Sequence, residues 1–208
     1  MNLGLSWPWL ALALLGAYHG INPGMGWLFA VARGLQEGSR GAVLASLLPI
    51  VIGHEASIVV VVGVTVAAQE FIAPHTVRLL AALALVSFGV YRVARPRSHP
   101  RGFGMRVGSV SLAAWSFLMA SAHGAGLMIV PVLLGWPVVQ WLPAVNQIGV
   151  LVLVSTMVHV TAMLIVMAVA ALVVYQVVGL RILRRSWFNL DLVWAASLAG
   201  AGLITMFS

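Results

Sequence analysis

Six apolar runs constrain this chain more than any other feature of it: residues 8–31, 42–68, 76–93, 110–134, 149–174 and 190–206. A helix needs about 20 apolar residues to cross the hydrocarbon core of a bilayer. None of the runs shows the period-two alternation of a lipid-facing barrel strand. The chain is therefore expected to be an all-α integral membrane protein with six transmembrane helices. Composition points the same way, because 62% of the 208 residues are hydrophobic and only 7% are charged. A water-soluble domain carries about a quarter charged residues, so this chain cannot cover itself with polar groups, and the lipid bilayer is its expected partner. No polar stretch is long enough for a second compartment, which implies a single membrane domain. The start, Met1-Asn2-Leu3, has no positive region ahead of the first apolar run. That run is expected to stay as a helix rather than be removed as a signal peptide.

The formal charge of +7 comes entirely from arginine. These arginines lie in short connections between apolar runs, with no solvated basic domain to grip phosphates, so a nucleic-acid partner is not expected. Arg33 and Arg40 fall in the first connection. Arg92, Arg95, Arg97, Arg101 and Arg106 fall in the third, and Arg181, Arg184 and Arg185 in the fifth. Alternate connections share one side of the membrane, and only Arg78 lies opposite. The positive-inside rule makes the arginine side cytoplasmic, giving a multi-pass protein of the cytoplasmic (inner) membrane with both termini outward. Trp7, Trp9, Trp136 and Trp141 are then placed as outer interfacial anchors.

Four of the six histidines sit in the middle of a run. His19, His54, His123 and His159 each lie within about three residues of a midpoint, a few ångströms of depth at ~1.5 Å per residue. Glu55, beside His54, is the one acidic residue at that depth. Ionisable groups inside a bilayer are costly and face the bundle interior or a wet cavity. Neutral imidazoles at one level, with a carboxylate beside them, form a ligand set for a transition metal ion. A proton relay would use the same residues, and the sequence does not separate the two. His75 and His99 fall in connections. With no cysteine in the chain, thiolate ligands and disulfides are excluded.

The chain also repeats itself. His19-Gly20 recurs as His123-Gly124, and Gly53-His54 is matched by His159, offsets of 104 and 105 residues. Three runs per unit reverse the second copy, so the expected plan is two inverted three-helix repeats, residues 1–98 and 99–208, with the site at the midplane where they meet. Glycine and proline gather beside the histidines, in Gly20-Ile21-Asn22-Pro23-Gly24-Met25-Gly26 and in Gly124-Ala125-Gly126 with Pro131. They lower the cost of interrupting a helix there, although small residues also serve close helix packing. Met25, Met119, Met128, Met157 and Met163 lie near the histidines in sequence, as packing or as thioether ligands for monovalent copper.

Three segments carry a family resemblance. His19-Gly20 with Pro23-Gly24-Met25-Gly26-Trp27-Leu28-Phe29-Ala30-Val31-Ala32, Gly53-His54-Glu55-Ala56-Ser57, and Ala122-His123-Gly124 resemble the nickel and cobalt permeases of the HupE/UreJ type. Where that family places an Asp-His pair after its first histidine, Met25-Gly26 stands here. The resemblance implies a small metal permease without identifying the ion. The expected function is therefore transport of a transition metal ion (nickel, cobalt, copper, zinc or iron) through His19, His54, Glu55, His123 and His159. The alternative is a membrane-embedded, histidine-ligated metalloenzyme, or a subunit of one, holding copper or iron. No nucleophile–base pair suggests metal-free catalysis, and self-association or a membrane complex stays open.

Overall fold

The computed structural model describes residues 3–68, 71–94, 108–134 and 145–178, with residues 199 and 203. Among them the chain is helical and contains no strand. The expected sixth span, the arginines at 95–106 and 181–185, His99, Trp136 and Trp141 lie outside these described residues, apart from two isolated positions of that span.

The helices are α1 (Leu3–Ile21), α2 (Trp27–Glu37), α3 (Arg40–Ala68), α4 (Pro74–Ala94), α5 (Ser109–Ala122), α6 (Ala125–Leu134) and α7 (Val145–Val173), the last ending in a π-helical turn at Val174–Val178. Two stretches, Arg40–Thr65 and Gly149–Val177, are long and apolar enough to cross a membrane as single helices. The full α3 and α7 have 29 residues each, or roughly 43 Å at the α-helical rise. The first and fourth apolar runs are not continuous helices. Each is interrupted beside its histidine.

The first interruption lies between α1 and α2. Asn22 leaves helical geometry at φ −68°, ψ 116°, and its side chain accepts from the Gly24 amide at 2.9 Å. Pro23 opens a single 3-10 turn, Pro23–Met25, where its missing amide costs nothing. Gly26 then takes φ 112°, a region open to glycine and strained for any residue with a Cβ. Carbonyls released by such a break must find donors inside the apolar bundle. The Trp27 indole donates to the Ile21 carbonyl, and the Trp115 indole, from α5, donates to the Gly24 carbonyl, both at 3.3 Å.

The second interruption is shorter. His123 caps α5, its amide bonding the Met119 carbonyl at 2.8 Å. Gly124 takes φ 68°, and α6 begins at the next residue.

Packing pairs α1 most extensively with α7, and α3 with α5. Gly16 lies against the His159 carbonyl and Gly53 against the Ala113 carbonyl, so closely that a Cβ at either position would enter the neighbouring backbone. The bundle buries polar side chains, including Asn22, Ser46, Ser57, Ser116, Ser155, Thr156 and the four histidines, while Leu48, Val64, Val150 and Val169 are among many exposed large apolar residues. An apolar exterior around a partly polar interior is the arrangement suited to lipid. Two apolar clusters bracket the middle of the bundle. On α3, Val43, Leu47 and Ile50 belong to one, and Ile58 and Val62 to the other. His54 lies between them.

Candidate metal centre

Three histidines from three helices meet in that middle layer. His19 comes from the last turn of α1, His54 from the centre of α3 and His159 from the centre of α7, and all three are fully buried. One ring nitrogen of each lies within 4.8 Å of the others. The His54 and His159 rings are nearly parallel, at 9° with centroids 5.7 Å apart. The His19 ring stands edge-on to both, 5.2 Å from His54 and 4.9 Å from His159.

The Nε2 atoms of His54 and His159 are 3.4 Å apart. That is long for a hydrogen bond, whose usual range ends near 3.2 Å. Two nitrogens sharing a tetrahedral ion through ~2.0–2.1 Å bonds stand about 3.3–3.4 Å apart, which this pair matches. A three-nitrogen face on such an ion needs every pair about this close, so the group as a whole, spread over 4.8 Å, would have to tighten around it. Its Nδ1 donates to the Leu15 carbonyl at 2.7 Å. A carbonyl only accepts, so Nδ1 carries the proton and Nε2 keeps the lone pair that a metal requires. The His54 Nδ1 is buried with no hydrogen-bond partner, and an ion held at Nε2 would leave that cost in place. Three neutral imidazoles with no thiolate suit zinc, copper, iron, nickel or cobalt. This group can hold a metal ion.

The other two expected ligands are placed differently. His123 is buried, but it does not belong to the three-histidine group. Its ring repeats the His19 arrangement, with Nδ1 donating to the carbonyl four residues back, Met119, at 2.7 Å. Glu55 lies in a different sector of α3 and is half-buried. Its Oε2 is shielded from solvent without a hydrogen-bond partner. Of the methionines, Met25, Met119 and Met163 are fully buried and Met128 nearly so, whereas Met157 is 45% exposed and turns away from the interior. His75 is exposed, with the Thr76 hydroxyl at 3.2 Å.

Several contributors escape sequence reasoning. Ser57 and Ser121 join α3 to α5 at 2.9 Å, and Thr156 lies one turn before His159. A hydroxyl three residues from a histidine in the middle of an apolar run is a usable signal for Ser57 and Thr156. Trp115 has no such signal, because its acceptor is 91 residues away. No protein family, curated protein or solved structure matches the chain.

Proposed function

We propose that this chain is a small transition-metal permease of the cytoplasmic membrane, in which His19, His54 and His159 form the midplane station for the transported ion. The observation that carries this reading is the convergence of three buried imidazoles from separate helices at the centre of an apolar bundle. A structural role would explain one buried histidine bonded to a carbonyl; it does not explain three whose nitrogens lie within 4.8 Å of one another. Bracketing by two apolar clusters is consistent with an occluded site, closed toward both faces. The architecture we propose is six spans in two inverted three-helix repeats, 1–98 and 99–208, with outward termini and the arginine-rich connections cytoplasmic. The reciprocal pairing of α1 with α7 and α3 with α5, first run of each half against second run of the other, supports it. The HupE/UreJ resemblance belongs to the same proposal. His123 is assigned a place in the ion path, and Glu55 a carboxylate at its edge.

Imidazole nitrogen favours borderline divalent ions, so nickel, cobalt and zinc are the first cargoes to test, with copper and iron next. The test is uptake of each ion into proteoliposomes by purified protein and by His54→Ala. Flux by the wild type, lost in the variant while the purified protein stays monodisperse, is the expected result. Equal flux through both would exclude the site. An ion retained through prolonged dialysis, with no flux for any ion, would instead mark the histidines as a resident metalloenzyme centre.

A further inference from the structure

The hydroxyls of this bundle are of two sorts. Ser46 and Thr65 donate to the carbonyl four residues back on their own helix, at 2.7 and 2.8 Å. Ser116 does not. It is fully buried, and its Oγ has no hydrogen-bond partner. On α5, Leu112 belongs to one apolar cluster and Ala120 to the other. Ser116 stands four residues from each, as His54 stands four residues from Ile50 and Ile58 on α3.

The two helices touch on both sides of this level. Gly53 meets the Ala113 carbonyl, and Ser57 bonds Ser121 at 2.9 Å. The order of these contacts makes α3 and α5 parallel here, with His54 and Ser116 each lying between them. At about 100° per residue, His54 is turned about 80° forward of the α3 face that meets α5, and Ser116 about 100° backward of the α5 face that meets α3. On facing parallel helices, opposite turns lead to the same side. That side is the interior where the His54 Nε2 faces His159.

Taking the metal-permease reading as its basis, we infer that Ser116 is a positioning residue for His54: its hydroxyl accepts the hydrogen bond of the Nδ1–H, directly or across one water, when Nε2 holds the ion. A neutral imidazole that binds an ion through Nε2 carries its proton on Nδ1. That donor then needs an acceptor, and outer acceptors of this kind fix the plane of a ligating ring and raise its basicity. His19 has one in the Leu15 carbonyl, whereas the His54 Nδ1 is buried without any. The neighbouring candidates are committed or misplaced. Ser57 and Ser121 are bonded to each other, and Glu55 is turned about 100° further from α5 than His54. Pairing the two partnerless atoms on loading removes a cost that the ion-free protein bears, and so tightens the hold on the ion.

Cobalt(II) alone, added to the full-length protein in detergent, is the probe. Titration reports affinity, and NMR of the paramagnetically shifted, exchangeable imidazole N–H protons reports each ligating ring separately. Ser116→Ala is expected to weaken cobalt binding by the ~10–100-fold that loss of an outer-shell partner costs. It also shifts or broadens one N–H signal while the others keep their place. The hydroxyl has no partner in the ion-free protein, so without metal the variant unfolds no earlier than wild type in graded denaturing detergent. Ser155→Ala removes a second partnerless buried hydroxyl, one turn before His159, and leaves the Ser116-sensitive signal in place. The inference is overturned if Ser116→Ala binds cobalt as wild type does, if its ion-free stability falls along with its affinity, or if Ser155→Ala moves the same signal. Each of those results leaves the permease reading standing. Cobalt binding that wild type lacks, or that His54→Ala leaves unaltered, would instead remove the site on which both rest.

Discussion

The two helix interruptions start from the same local text, a histidine followed by glycine, and reach different structures. After His19 the chain spends five residues between helices. Asn22, Pro23 and Gly26 build a 3-10 turn, and two indoles supply its carbonyls with donors. After His123 one left-handed glycine suffices, and α6 resumes at once. The consequence falls on the histidines. His19 is two residues clear of its interruption, inside an intact turn of α1, and joins His54 and His159. His123 is itself the capping residue of α5, and its ring is not part of the three-histidine group. An equal place within an apolar run therefore does not give an equal position in the bundle. What separates them is where the backbone leaves the helix relative to the ring.

The largest way to break this comparison is at Gly26. Its φ of 112° lies outside the basins open to other residues, so Gly26→Ala should cost roughly 2–3 kcal/mol. A Cβ there meets Ile50 and Trp115 only at 3.5 Å, so the loss is conformational rather than steric. Unfolding in graded denaturing detergent measures it, and an unchanged midpoint would show that the first interruption does not need that geometry. Gly124→Ala should cost less, roughly 1–2 kcal/mol, because φ 68° is ordinary left-handed backbone. The same assay ranks the two, and a reversed order would sink the comparison.

Trp115→Phe sharpens it further. Phenylalanine preserves the edge-to-face contact with Phe29 but leaves the half-buried Gly24 carbonyl without its donor, for about 1 kcal/mol. The effect should appear as faster hydrogen exchange at residues 22–26, with the 123–125 segment unaffected. Equal acceleration at both segments would mean that the indole braces the whole bundle. The smallest expected effect is Ser121→Ala, which removes the bond to Ser57 beside the second interruption and should cost roughly 0.5 kcal/mol. Any large loss of transport by that variant would place the serine pair in the ion path instead.

Much of this arrangement was legible in advance. Run length and the lack of period-two alternation announced helices, and the described residues are helical. Glycine and proline beside His19 and His123 marked the interruptions, because Pro23 removes an amide and Gly26 and Gly124 accept positive φ. That His19, His54 and His159 would gather was readable from their central places within their runs. That His123 would stay outside was not. Counting along a helix locates a residue in depth, but not in angle around the bundle axis, and it treats His19 and His123 as equals.

By itself, then, the sequence determined what one helix can know: that it is apolar, about where its ionisable group lies and where it will break. These are consequences of spacing and of backbone chemistry within a few residues. Only the tertiary structure decided that His19 joins His54 and His159 while His123 stays outside the group, that Glu55 takes a different sector from its neighbour, and that Trp115 donates to a carbonyl in the first interruption. Those outcomes depend on how closely whole helices approach. That approach is set where Gly16 and Gly53 admit a neighbouring backbone, at contacts between residues far apart in the chain.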